Sequence, residues 1–138
     1  MAPETFIDTS GFYALLVAKD DRHAAARAFM HMAAEERSPL VTTDYVLDET
    51  ATLLVVRGLQ RLTTPFFDHI LTSKACRIEW TDSKRFLATV RFLTQHQDKS
   101  WSFTDCLSFV VMEELSLQHA LTKDHHFRQA GFTALLID

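Results

Sequence analysis

The chain has 138 residues, 47% of them hydrophobic and 23% charged, with a formal charge of −4. That is the makeup of one globular domain and excludes disordered, collagen-like and disulfide-stapled chains. The acidic balance also argues against coating nucleic acid through a broad basic face, though not against a nuclease whose acids are neutralised by metal.

The start, MAPETFIDTS, has neither a basic nor an apolar leader region. No stretch nears the ~20 apolar residues of a membrane span. Cys76 and Cys106 sit among apolar neighbours and read as buried free thiols. A soluble, cytoplasmic protein is expected.

The first apolar run, residues 5–7, predicts a strand, and residues 11–18 predict a helix. Between them stand Asp8, Thr9 and Ser10. Each favours a helix N-cap, but one cap needs one such residue, and the surplus leaves Asp8 as a candidate metal ligand with Thr9 and Ser10 in support. A second helix is predicted over 22–36, then a strand at 40–42 and a helix over 44–57. Within that helix Val46, Leu53 and Val56 lie at −3, +4 and +7 from Glu49, which places Glu49 in an apolar stripe. No Lys or Arg stands three or four residues away. An ionised carboxylate there needs a partner or a metal, and Asp48, rotated by about 100°, ranks behind it.

A helix over 59–73, a strand at 77–80 and a helix over 83–95 follow. The next helix, 103–115, opens on Ser102-Phe103-Thr104-Asp105, the spacing of a capping box. Capping and metal binding are both open for Asp105, with Thr104 beside it. The strand at 119–122 leads to Asp124 and a short helix over 125–130, before a last strand at 133–137. Asp124 reads as a cap or as a fourth acid of the same site. His125 and His126 diverge by about 100° on a helix, and no Cys or second His pair has zinc-ligand spacing, so zinc is not expected. Lys123 and Arg128 are candidate phosphate contacts, although scattered cations are more often solvated surface.

Strands alternating with helices predict an α/β fold: a parallel sheet covered by helices on both faces, with sites beyond the carboxyl ends of its strands. Two carboxylates about 5 Å apart repel by roughly 3 kcal/mol at an effective dielectric near 20. Four acids brought together there call for protons or a hard divalent cation.

The segments FIDTSGFYALL, TTDYVLDETATLL, WSFTDCLSFVVMEE and ALTKDHHFRQAGF together resemble the PIN domain, and within it the VapC-like ribonuclease toxins of toxin–antitoxin pairs. The resemblance covers residues 5–137. It implies a single domain over residues 1–138, an open five-stranded parallel sheet and an acidic cleft. It further implies Mg²⁺ or Mn²⁺ held by Asp8, Glu49, Asp105 and Asp124, with Thr9, Ser10 and Thr104 at the family's small hydroxyl positions. The implied activity is endonucleolytic cleavage of RNA, and the implied partners are a cognate antitoxin and a second copy of the chain. The alternative is a non-catalytic PIN-like module that binds RNA or protein. A receiver domain or a haloacid-dehalogenase-type phosphatase fits poorly, since the latter needs an acid where Ser10 stands.

Overall fold

The computed structural model describes residues 3–137. Five short strands run parallel: β1 (Thr5–Ile7), β2 (Leu40–Thr43), β3 (Cys76–Glu79), β4 (His119–Leu121) and β5 (Thr133–Ala134), in the order β3-β2-β1-β4-β5. Seven helices connect them: α1 (Thr9–Leu16), α2 (His23–Glu36), α3 (Asp44–Val56), α4 (Thr63–Thr72), α5 (Ser83–Gln95), α6 (Phe103–Glu114) and α7 (His125–Gln129). Phe6, Ile7, Val41 and Leu121 of the sheet belong to one buried core with Leu107, Phe109 and Met112 of α6 and Phe127 of α7, and the Phe6 and Phe127 ring centroids lie 6.3 Å apart. Phe109 meets Phe127 edge to face, their ring centroids 4.9 Å apart.

The order of strands decides where a site can form. From β1 the chain crosses to β2 on one side, while β4 lies on the other, so the β1/β4 seam is the point where the winding reverses. Crevices open outside the carboxyl ends of strands at such a point. The register there is Ile7 opposite Leu121, and the Asp8 N–H continues it by donating to the Leu121 carbonyl at 3.3 Å. Asp8 and Thr122 therefore leave the sheet side by side.

Gly11 is required by this packing. A Cβ on Gly11 would fall 2.1 Å from the Leu121 carbonyl oxygen, so only glycine lets the first turn of α1 lie against the end of β4.

Three expectations change at element ends. The helix foreseen over 59–73 is a short 3₁₀ turn, Gln60–Leu62, followed by α4. Pro65 has no N–H to give and is accommodated within the first turn of α4. The last strand stops at Ala134, not 137. Helix α1 begins two residues early and takes in Thr9 and Ser10.

Candidate active site

Each acid reaches the carboxyl edge from a different element. Asp8 stands between β1 and α1, in the N-cap position of α1, yet its side chain caps nothing. The helix therefore does not account for its carboxylate. Asp8 is only 3% exposed, and its Oδ2 accepts from Thr122 Oγ1 at 2.9 Å and from Ser10 Oγ at 3.3 Å. Burial pushes its pKa up to about 7, with Asp105 and Glu49 adding to the rise. What opposes the rise is the Thr122 hydroxyl and the Thr9 amide, neither of them a cation. A buried carboxyl held by neutral donors and facing other carboxyls is disfavoured in its charged form, and a nearby positive charge would relieve that.

Glu49 sits on α3, half-buried, and its pKa is raised by burial first and by Asp105, Asp124 and Asp48 after it. The expectation about its surroundings needs correction. Val56 is 76% exposed and Leu53 half-buried, so the buried face of α3 is Val46, Leu47, Thr50 and Leu54. Glu49 borders that face next to Thr50 and does not lie inside it. The Thr9 hydroxyl is close enough to Glu49 to lower its pKa. It still lacks hydrogen-bond geometry with any group, although the residue is only 6% exposed. Asp48 is exposed and acts on Glu49 only through its charge.

Asp105 and Asp124 both cap helices, and their charges also reach the other acids. The capping box at α6 is complete: Asp105 N–H donates to Ser102 Oγ at 3.0 Å, and Ser102 N–H donates to Asp105 Oδ2 at 3.2 Å. Asp105 is nonetheless buried, 7% exposed, and its charge raises both Asp8 and Glu49. Asp124 caps α7 by accepting the His126 N–H at 2.9 Å. A cap uses one oxygen of a carboxylate and leaves acceptor capacity on the group.

Two contributors were not foreseen. Thr122, fully buried, donates to Asp8, accepts the Asp124 N–H at 3.0 Å and meets Ser10 Oγ at 3.0 Å. It ties the first acid to the fourth, and its only sequence signal is the Thr-x-Asp spacing. His126 turns its Nδ1 to within 3.0 Å of Asp105 Oδ2 and 3.5 Å of Asp124 Oδ1. His125 is exposed, the divergence expected of adjacent helical positions. Asp105, Asp124 and His126 each offer a ligand atom, all within 4.8 Å of one another.

The candidate phosphate contacts are placed differently. The Lys123 ammonium pairs with Asp20 at 2.9 Å and Asp21 at 3.0 Å, pinning the α1–α2 connection beside the site, so a phosphate would compete with two carboxylates for it. Arg128 lies exposed on α7, and Thr104 is half-buried one residue before Asp105. An apolar cavity of about 770 Å³ opens between α1, α2 and α4, and none of the four acids lines it. Cavity size does not locate this chemistry.

The residues fit a hard divalent cation. Asp105 and Asp124 offer ligand atoms within 4.8 Å of each other together with His126, and burial and neighbouring acids raise Asp8 and Glu49: Asp105 acts on both, Glu49 on Asp8, and Asp124 on Glu49. Both cysteines are buried elsewhere as free thiols whose pKa values burial raises, so sulfur has no part in the donor set.

Comparison with known proteins bears on the fold and the family. The sequence model of the PIN domain family matches residues 5–133. The chain is 33% identical to the 23S rRNA-specific endonuclease VapC20 of Mycobacterium tuberculosis over 127 residues, 92% of this chain and 94% of the relative. It is also 33% identical to a VapC ribonuclease of Archaeoglobus fulgidus over 114 residues, 81% of this chain and 72% of the relative. The crystal structure of M. tuberculosis VapC20, described as a sarcin–ricin loop cleaving toxin, superposes with a TM-score of 0.82 at 32% identity, covering 93% of this chain and 95% of that one.

Proposed function

This chain belongs to the PIN domain family, and from that premise we propose that residues 1–138 form one nuclease domain, a Mg²⁺- or Mn²⁺-dependent endoribonuclease acting as the toxin of a toxin–antitoxin pair. The observation that carries the reading is the buried Asp8, held by neutral donors and raised by the charges of Asp105 and Glu49, with Glu49 raised in turn by Asp105 and Asp124.

Asp8, Glu49, Asp105 and Asp124 would hold the cation. When bound, it offsets the charge of the scissile phosphate and lowers the pKa of an attacking water. The chain's own part is positioning. Thr122 and Ser10 both donate to Asp8 Oδ2 and hold its carboxyl in place. The Ser102 amide fixes the Asp105 carboxylate, and the His126 amide fixes that of Asp124. Hydrolysis adds water to phosphorus and breaks the bond to the 3′ oxygen, which leaves a 3′-hydroxyl and a 5′-phosphate.

VapC20 is named as a 23S rRNA-specific endonuclease, and structured RNA is the substrate class proposed here. The proposed antitoxin is a small protein whose helix carries a basic residue to the acidic edge and so silences it. Pairing of two copies is supported by large apolar side chains left in solvent, Trp80 at 62% and Leu87 at 55% exposure. Among the described residues no helix is long and apolar enough to cross a membrane, and the cytoplasm is the proposed site of action.

The test uses the purified chain and its Asp8→Asn variant on a sarcin–ricin stem-loop and an unrelated hairpin. Each is incubated with Mn²⁺ or with chelator, and the new ends are mapped. Cleavage should need Mn²⁺ and fall at least about 100-fold in the variant, as when a group acting on the transition state is removed. Equal cleavage by both proteins would sink the site. Tight RNA binding with no cleavage by either would favour a binding module.

A further inference from the structure

We propose that His126 is itself a ligand of the divalent cation, its Nδ1 joining Asp105 and Asp124 in a nitrogen-containing face that shifts the centre's preference from Mg²⁺ toward Mn²⁺. The inference rests on the metal-dependent reading above and goes beyond its four acids.

Distances are the first ground. Nδ1 lies 3.0 Å from Asp105 Oδ2 and 3.5 Å from Asp124 Oδ1, and the ligand atoms of all three residues fall within 4.8 Å of one another. Ligands bound at about 2.1 Å are separated by about 3.0 Å at right angles and about 3.4 Å at tetrahedral angles. The imidazole thus already stands at the separations expected of atoms that share one ion.

Pre-organisation is the second ground. The Asp105 carboxylate is fixed by the Ser102 amide, and Asp124 by the His126 amide. The backbone bond that caps α7 therefore also sets where the His126 ring begins. Without metal, Nδ1–H donates to the Asp105 carboxylate, since a carboxylate can only accept. The Thr9 hydroxyl, 6% exposed, acts on Glu49 but makes no hydrogen bond of good geometry, a second buried polar group at this edge with spare capacity.

Chemistry supplies the preference. Mg²⁺ favours an all-oxygen shell and holds its waters, while imidazole suits the transition metals. The rival role for His126 is that of a positioning residue, which orients Asp105 through the hydrogen bond and never touches the ion. Gln at 126 keeps a side-chain donor for Asp105 but has no imidazole nitrogen, so it separates the two roles.

Wild type, His126→Ala and His126→Gln are loaded with one equivalent of Mn²⁺ and read by pulsed EPR for nitrogen-14 modulation. Mn²⁺ and Mg²⁺ affinities are measured by calorimetry, with circular dichroism and urea midpoints as fold controls. Wild type should show nitrogen modulation that both variants lose. Mn²⁺ affinity should fall about 10- to 100-fold in both, with a smaller fall for Mg²⁺. Bound Mn²⁺ without nitrogen modulation in wild type, or a Gln variant that binds like wild type, overturns the inference and leaves His126 a positioning residue. If His126→Ala does not fold, the wild-type spectrum and the Gln variant still decide. Mn²⁺ that stays free in wild type instead overturns the metal-dependent reading itself.

Discussion

Asp8→Asn should make the metal-free protein more stable near pH 8 while removing a carboxylate from the proposed metal site. A carboxyl that ordinarily titrates at 3.8 is pushed up to about 7, first by burial and then by Asp105 and Glu49. Between those two values the folded chain holds a proton that the unfolded chain has released, so wild-type stability falls as pH rises through the window and levels off above about 7. At about 1.4 kcal/mol per tenfold change, the full cost of ionised Asp8 is on the order of 4 kcal/mol. Asparagine keeps an acceptor for the Thr122 hydroxyl but brings an amide whose N–H groups need partners, so about half the ceiling, roughly 2 kcal/mol, is the expected gain. For a chain of this length that is a rise in Tm of roughly 6–10 °C. Urea and thermal unfolding with chelator present, at pH 4 and pH 8, measure it. The gain should appear at pH 8 and be nearly absent at pH 4, where Asp8 is protonated in the folded wild type. Saturating Mn²⁺ at 100 times its Kd should then add about 2.7 kcal/mol to wild type and far less to the variant. A variant no more stable at pH 8, or equally stabilised at both pH values, would refute the reasoning.

Thr122→Val removes the hydroxyl that donates to Asp8 and accepts the Asp124 N–H. It should cost about 1–3 kcal/mol in urea unfolding and about 10- to 100-fold in Mn²⁺ affinity, while Thr122→Ser restores most of both. Gly11→Ala places a methyl 2.1 Å from the Leu121 carbonyl, and because that atom is backbone the sheet itself must shift. A loss of about 3 kcal/mol or more is expected, at the upper end for overpacking, and a Tm within a few degrees of wild type would show that α1 does not lie against β4 as described.

Much of the fold was legible because local rules suffice for it. Residues 83–95, predicted as a helix, are α5, opened by Asp82 with its carboxylate on the Arg85 N–H. The five short apolar runs are the five strands, and their alternation with helices predicted the parallel sheet. Boundaries moved where a single residue's chemistry intervened, as at Pro65. The acids were legible as types and positions, but the grounds given for them fared unevenly. Glu49 was assigned to a buried stripe through Val56, which lies in solvent, because helical periodicity cannot say which side of α3 faces the sheet. The capping box of Asp105 was read correctly and did not compete with its place in the site.

The sequence by itself determined the elements, the parallel architecture, three carboxyls at element ends and a fourth within α3, since each follows from spacing along the chain. Only the tertiary structure decided that β4 lies beside β1 across more than a hundred residues, bringing Thr122 to Asp8 and putting His126 against Asp105. Hydrophobic pattern fixes which face of an element is buried, not which strand becomes its neighbour. The perturbation of Asp8 arises in that neighbourhood, from burial and charges supplied by residues far from it in sequence.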